Sequence, residues 1–141
     1  MDITISFPGG KRVDAQYSDV TIKTDQSVKS GGDGSAPEPY MYFLSSIGTC
    51  AGIYVLSFCQ NRSIPTGGIK LVQHHEFVSP APGKSRLSKI TIDIVVPPDF
   101  PQQYYDALIR VAEQCAVKKT FMEPPEFEIK NKVQNDRSAI L

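Results

Sequence analysis

The chain has 141 residues, enough for one domain with a modest hydrophobic core. Its 15 Lys and Arg residues balance 15 Asp and Glu residues, so neither nucleic acid nor a charged membrane surface is an expected partner. The start, MDITISFPGG, lacks the basic and apolar regions of a signal peptide. Three widely spaced cysteines without such a signal favour free thiols in a reducing compartment, so we expect a cytoplasmic protein.

The N-terminal part of the chain is predicted to form strands. Residues 3–7 alternate apolar and polar side chains, which indicates a half-buried strand. Residues 8–10, PGG, predict a turn, and the alternation resumes at residues 13–17, so the two segments form a hairpin. A short third strand is expected around residues 20–22. Residues 24–37 are polar and rich in glycine, which predicts a loop.

A long apolar segment follows, from Pro39 to Arg62, with proline at a position that suits the start of a helix. Its apolar residues surround the helix, so it is either buried on all sides or lies in a membrane. Several Ser, Thr and Gln residues, and the lack of a flanking cluster of Lys and Arg, argue against the membrane. Gly48 and Gly52, one turn apart, would allow another backbone to approach, and the expected cover is a second copy of the chain.

The second half of the chain alternates between strand and helix patterns. We predict strands at residues 69–78 and 87–96, a helix at 102–115 with a further turn to Met122, a last strand around 127–129 and a tail at 135–141. The whole chain, residues 1–141, is therefore predicted to be a single α+β domain. In it, a long buried central helix and a second helix cover one largely antiparallel sheet.

The three cysteines are the first candidates for chemistry. Cys50 lies in the middle of the central helix and Cys115 on the apolar face of the second, and cysteine commonly fills core space at such positions. Cys59 follows Cys50 by about 13 Å along one helix, whereas a disulfide needs Cα atoms within about 7 Å. A redox partner for Cys50 is therefore Cys115 or a cysteine of another chain.

Other patterns give no second site. His74 and His75 are adjacent on a predicted strand and point to opposite faces, so they do not suit one metal ion. The glycine-rich segment GGDGSAPEP lacks the Lys-Ser/Thr ending of a phosphate loop. No serine has the G-x-S-x-G setting of a hydrolase. We expect neither a metal nor a cofactor.

Residues 31–50, GGDGSAPEPYMYFLSSIGTC, resemble a segment of the osmotically inducible protein C / organic hydroperoxide resistance (OsmC/Ohr) family. In that family a glycine-rich loop leads to a proline eleven residues before the first reactive cysteine, as Pro39 precedes Cys50. The family's second cysteine opens a Cys-Pro-[Val/Ile]-[Ser/Lys] run, which is similar to Cys115-Ala116-Val117-Lys118. The order of strands and helices matches over nearly the whole chain.

This resemblance implies an intertwined homodimer with the two central helices packed together. It also implies a thiol-dependent peroxidase for organic hydroperoxides, with hydrogen peroxide as a further substrate. Cys50 would attack the peroxide and become a sulfenic acid, Cys115 would condense with it to a disulfide, and an external thiol or dithiol would reduce the disulfide.

The resemblance further implies an arginine from the N-terminal hairpin that supports the thiolate. Arg12 is the best match and Lys11 its neighbour. The family's glutamate that holds this arginine is replaced by Tyr40 and Met41, which leaves Glu38 as the candidate substitute. Loss of that glutamate favours an alternative, a non-catalytic member of the family that binds a small apolar ligand in the dimer cleft.

Overall fold

The structure, a computed structural model, describes residues 1–134, so the tail expected at residues 135–141 lies outside the described part. It is a mixed α/β fold with antiparallel sheets, and it confirms the five strands and the central helix predicted for residues 1–96. The elements are, in order, β1 (Thr4–Gly9), β2 (Arg12–Tyr17), β3 (Val20–Thr24), α1 (Pro39–Gln60), β4 (Lys70–Val78), β5 (Arg86–Val95), α2 (Tyr105–Ala112) and α3 (Ala116–Met122), with short 3₁₀ turns at Val28–Ser30 and Gln102–Tyr104.

The strands form two sheets, whereas one sheet was predicted. β1, β2 and β3 pair antiparallel in that order, and β4 pairs antiparallel with β5. The prediction of a single sheet was wrong for one chain, because alternation identifies a strand and its buried face but not the edge with which it pairs.

The core lies where α1 crosses α2 and the β4–β5 sheet. Its buried members are Val55, Phe58, Cys59, Phe100 and Leu108. Only one side of α1 is covered in this way. An adjacent side carries Phe43, Cys50, Ile53 and Tyr54, which we call the Cys50 face; its three aromatic or aliphatic side chains are exposed and Cys50 is half-buried. The sequence predicted that this helix is buried on all sides, whereas within a single chain only one side is fully buried.

The two glycines of α1 do not mark a helix contact within the chain. A Cβ on Gly48 would lie 2.6 Å from Oε1 of Gln73 on β4, and Nε2 of Gln73 donates a 2.9 Å hydrogen bond to the carbonyl of Leu44. A Cβ on Gly52 would meet no atom within 4 Å. The expectation of a close backbone was wrong at Gly48, because a glycine indicates tight space without identifying the neighbour.

The predicted second helix is divided. α2 ends at Ala112, and Cys115 has an extended conformation (φ −45°, ψ 117°) from which its sulfur caps α3 by accepting the N–H of Lys118 at 3.4 Å. The helical spacing of apolar residues continues across the break, so the pattern could not reveal it. Cysteine is also not among the usual N-cap residues that would signal a new helix.

The predicted last strand at residues 127–129 is not formed within the described chain. Phe127 and Ile129 are 85% and 96% exposed and lie in irregular backbone after α3. Their alternation with charged residues is strand-like, but a strand also needs a neighbouring edge for its backbone hydrogen bonds, and one chain does not provide it there.

The glycine-rich loop before α1 is ordered around Asp25. This fully buried carboxylate accepts hydrogen bonds from Ser35 Oγ (2.6 Å), Ser35 N (2.9 Å) and Gln26 N (2.8 Å). The hydrogen bonds from Ser35 are the main reason that the pKa of Asp25 is lowered to about 2. A Cβ on Gly32 would collide with the carbonyl of Gln26. The loop is therefore tightly folded up to the first turn of α1.

Among residues 1–134, one helix, α1, is long and apolar enough to cross a bilayer by length and composition. The core helix of a soluble protein passes the same test. The packing of α1 on β4, α2 and α3 agrees with the prediction of a central helix that is covered by protein.

Candidate thiol site between α1 and α3

The structure brings Cys50 and Cys115 together. Cys50 projects from the middle of α1, and Cys115 lies in the extended residue that separates α2 from α3. The Cys115 thiol donates a 3.7 Å hydrogen bond to the carbonyl of Ile47, one turn before Cys50, and lies near enough to Cys50 for each thiol to shift the pKa of the other. Cys115 is buried, while Cys50 is partly open to solvent from its face of α1. The break in the predicted helix is what allows Cys115 to reach α1.

The surroundings of the two sulfurs drive their pKa values in opposite directions. The backbone N–H of Val117 lowers the pKa of Cys50 most strongly; burial opposes it, and hydrogen bonds from the Cys115 thiol and the N–H of Ala116 lower it further. Burial raises the pKa of Cys115, and its hydrogen bond to Cys50 raises it as well. Of the two sulfurs, Cys50 is therefore the one that ionises more readily.

Cys59 belongs to the core and not to this site. It is fully buried in the cluster around Val55, Phe58 and Leu108. Burial raises the pKa of Cys59, and the nearby positive charge of Arg62 offsets this only in part. A buried thiol with a raised pKa has little thiolate character and is poorly reactive.

Arg12 and Glu38 are not brought to the sulfurs within one chain. Arg12 lies exposed at the β1–β2 turn, where its Nε donates a 3.2 Å hydrogen bond to the carbonyl of Gly9. The Glu38 carboxylate accepts the N–H of Ser27 at 3.0 Å and so holds the glycine-rich loop. The ion pairs of residues 1–134 do not join Arg12 to Glu38. The side chain of Lys11 lies beside Gly31 of the same loop.

Sequence reasoning missed the aromatic contacts that fix α3 against α1. The ring of Phe43 on the Cys50 face lies 5.2 Å from the ring of Phe121 on α3, and 5.4 Å from Tyr40. These contacts are worth about 1 kcal/mol each beyond the area that they bury. Phe43 precedes Cys50 by two helical turns and shares its face, so helical spacing could have identified it.

A cleft of about 810 Å³ lies beside Cys115, between β5, α2 and α3. Cys115 is part of its wall, together with Ile47 and Ala51 of α1. Most of the remaining wall is apolar, and it includes Ile92, Ile94, Tyr105, Ile109, Phe121 and Met122. Lys89, Asp93, Glu113 and Lys118 also line it. The cleft is large enough for a small organic molecule.

The two histidines have separate partners. Nε2 of His74 lies 3.1 Å from the Asp93 carboxylate, and Nε2 of His75 lies 2.5 Å from Nε2 of Gln73. In the described part of the chain, no three His, Cys, Asp or Glu side chains cluster as they would around a metal ion.

The fold and the thiol pair define a small α/β protein in which a cysteine of the central helix meets a second cysteine at the start of a later helix. Residues 32–130 match the family described as OsmC-like protein, and the chain therefore belongs to that family. This finding confirms the resemblance seen in the sequence. A search of curated protein sequences finds no match.

Solved structures have the same fold. The chain is 20% identical to a candidate osmotic stress induced and detoxification response protein from Psychrobacter arcticus 273-4, with a TM-score of 0.66, over 84% of this chain and 85% of that one. It is 14% identical to an organic hydroperoxide resistance protein OsmC from Legionella pneumophila, with a TM-score of 0.57, over 86% and 89%. It is 17% identical to an organic hydroperoxide resistance protein from Elizabethkingia anophelis, with a TM-score of 0.56, over 85% of this chain and 88% of that one. At these identities the likeness establishes the fold.

Proposed function

We propose that this protein is a thiol-dependent peroxidase that reduces organic hydroperoxides, with hydrogen peroxide as a further substrate. The observation that carries the proposal is the contact between Cys50 and Cys115, whose pKa values are driven apart by burial and by the N–H groups after Cys115. A thiolate beside a protonated thiol provides both the nucleophile and the second sulfur of a two-cysteine cycle.

The proposed cycle uses only these two cysteines, the peroxide and an external reductant. The Cys50 thiolate attacks the distal peroxide oxygen, the O–O bond breaks, and the alcohol leaves after taking up a proton. Cys50 is then a sulfenic acid. The Cys115 sulfur attacks the Cys50 sulfur, the new disulfide forms, and the sulfenic oxygen leaves as water. An external thiol or dithiol supplies two electrons and two protons that restore both thiols.

The apolar cleft supports organic hydroperoxides as the substrate class. Its wall includes Cys115 and is largely aliphatic and aromatic, so an organic group bound there gains from burial, whereas hydrogen peroxide gains nothing. Two of the structurally similar proteins are described as organic hydroperoxide resistance proteins, which agrees with this choice.

We further propose that two copies form an intertwined homodimer. Apolar side chains are exposed on three separate parts of one chain: Phe7 of β1 (81%), Ile53 of the Cys50 face (52%) and Ile129 after α3 (96%). A second copy could cover these side chains, and large exposed apolar areas often mark an interface between proteins. A second copy that covers the Cys50 face would also remove water from the reactive thiol. Sedimentation should give a dimer, and Ile53→Glu should weaken it; a monomeric wild type would contradict this part of the proposal.

Arg12 and Glu38 remain the proposed supporting residues of the site. Since Arg12 does not reach Cys50 in its own chain, its guanidinium would act from the hairpin of the second copy. Glu38 would act on the arginine or through the loop that it holds at Ser27. Arg12→Ala should then lower the rate of peroxide reduction without changing the content of secondary structure.

The test is consumption of an organic hydroperoxide in the presence of a dithiol. Wild type and Cys59→Ser should turn over, because the Cys59 thiol is buried away from the site. Cys50→Ser should be inactive, and Cys115→Ser should complete one reduction and then stall as a sulfenic acid unless the dithiol reduces it directly. Equal background rates for wild type and Cys50→Ser would exclude the peroxidase.

The second candidate function is binding of a small apolar ligand without catalysis. The 810 Å³ cleft favours it, as does the presence of Tyr40 and Met41 where the resemblance led us to expect a glutamate. Retention of a fluorescent apolar probe in the cleft, together with background peroxide consumption, would support this candidate. We also propose a cytoplasmic location, where the three thiols would stay reduced.

A further inference from the structure

The short helix α3 contacts α1 at both of its ends. Before its first residue, the Cys115 thiol donates a 3.7 Å hydrogen bond to the carbonyl of Ile47. Near its last residue, the ring of Phe121 lies 5.2 Å from the ring of Phe43. Phe43 and Ile47 are four residues apart in α1 and therefore lie on the same side of that helix, one turn apart. The two contacts hold α3 along this side of α1, with Cys115 at the end nearer to Cys50.

The two contacts differ in how they depend on the sulfur of Cys115. The hydrogen bond to Ile47 needs the thiol proton, so it is lost when Cys115 ionises or forms a disulfide. The contact between Phe121 and Phe43 does not involve the sulfur. α3 has seven residues, too few for a helix to be stable without contacts to the rest of the protein. The aromatic contact is therefore the one that can hold α3 on α1 while Cys115 reacts.

We propose that Phe121, through its contact with Phe43, is a positioning residue that keeps Cys115 within reach of Cys50 for formation of the disulfide. The inference rests on the proposed function for the two-cysteine cycle, and it adds to that cycle a residue that touches neither reacting atom. Without the ring, α3 is detached from α1 for a larger share of the time. Disulfide formation then has to wait for its return, because the two sulfurs react only when they are held together.

The first test measures how readily the disulfide forms, without any peroxide. All proteins carry Cys59→Ser, so that Cys50 and Cys115 are the two thiols that react. Each protein is equilibrated with a glutathione buffer, in which one oxidised glutathione becomes two glutathione thiols as the protein disulfide forms. Phe121→Ala is compared with Phe121→Tyr, which keeps the ring. It is also compared with Met122→Ala, which removes an apolar side chain that is 74% exposed on the same helix.

The equilibrium constant for the disulfide should fall by about fivefold in Phe121→Ala, which is the factor that one aromatic contact is worth. It should change by less than about threefold in Phe121→Tyr and in Met122→Ala. Phe43→Ala should give the same fall as Phe121→Ala, and the double variant should fall little further, because both changes remove one contact. Phe43→Ala tests the contact from the other helix, so the result does not depend on one variant. Cooperative urea unfolding of each reduced variant shows that it is folded.

The second test follows the fate of Cys50 after one equivalent of an organic hydroperoxide. Dimedone reacts with a sulfenic acid that has not yet formed a disulfide. The share of oxidised Cys50 that dimedone captures should be larger in Phe121→Ala than in Phe121→Tyr. Because this is a share of the Cys50 already oxidised, it does not depend on the rate of the first step.

Equal equilibrium constants in Phe121→Ala and Phe121→Tyr would overturn the inference, as would an equal fall in Met122→Ala or fully additive falls in the double variant. The glutathione measurement uses no peroxide, so it separates this inference from the proposed function. A lower constant in Phe121→Ala without consumption of hydroperoxide by the wild type would remove the peroxidase and leave the positioning role. Consumption with an unchanged constant and an unchanged captured share would remove the positioning role alone.

Discussion

Closure of a bond between Cys50 and Cys115 should raise the stability of the protein. The perturbation is oxidation of the reduced protein by one equivalent of an organic hydroperoxide. The bond would close a loop of about 65 residues, for which loss of chain entropy in the unfolded state gives about 4 kcal/mol of added free energy of unfolding. The two thiols already lie near enough to shift each other's pKa, so closure of the bond requires little rearrangement of the backbone.

The value of about 4 kcal/mol is a ceiling, because oxidation also removes the stabilised thiolate and any strain subtracts from the gain. For a domain of this size the unfolding entropy is about 0.3 kcal/mol per kelvin, so the melting temperature should rise by up to roughly 13 °C. Urea unfolding followed by circular dichroism, at one fixed protein concentration, measures the change.

Cys115→Ser is the control, since it keeps Cys50 and cannot close the loop. Oxidised wild type should unfold at higher urea than reduced wild type, and a dithiol should reverse the difference. An unchanged midpoint in wild type, or an equal rise in Cys115→Ser, would refute the reasoning.

Three further predictions concern the scaffold. Leu108→Ala should lower the free energy of unfolding by about 3 kcal/mol, because Leu108 is 2% exposed in the core. Ile109→Ala, on the exposed side of α2, should lower it by less than about 1 kcal/mol. Urea unfolding of the two variants measures the difference. The pKa of Asp25 is lowered on folding, so the ionised carboxylate stabilises the protein above the unfolded pKa, near pH 4. This stabilisation is lost as the pH falls towards 2. Asp25→Asn should therefore flatten the dependence of the melting temperature on pH between these two values. Gly48→Ala should be about 1 kcal/mol less favourable in wild type than in Gln73→Ala, where the obstructing amide is gone; a double-mutant cycle without coupling would contradict this.

The sequence was informative wherever one segment determines its own conformation. Alternation at residues 3–7 and 13–17 predicted β1 and β2, and proline at residue 39 marked the first residue of α1. It failed where the partner lies far away in the chain. Residues 127–129 do alternate, yet they form no strand because no neighbouring strand edge is available to pair with them. Alternation also does not say which strands pair, so one sheet was predicted where there are two.

The burial of Cys115 was predicted correctly, although the continuous helix predicted around it is not formed. Its spacing from Leu108 predicted a buried position, and both residues are at most 2% exposed. The predicted continuous helix was wrong, because an extended conformation at Cys115 separates α2 from α3. Helical spacing reports which side chains share a buried face, and a chain that breaks and restarts can satisfy the same spacing. Here the break turns the sulfur towards α1.

The environment of Cys50 could not be predicted from its own segment, because the groups that lower its pKa belong to residues far along the chain: the N–H of Val117, the Cys115 thiol and the N–H of Ala116. The apolar character of α1 nevertheless bears on the same chemistry. One side of the helix is buried within the chain, and Cys50 lies on an adjacent side with Phe43 and Tyr54. A second copy packed there would desolvate the sulfur and oppose ionisation. A thiol on such a face therefore ionises only if hydrogen-bond donors or a positive charge of the protein replace the water that a second copy removes.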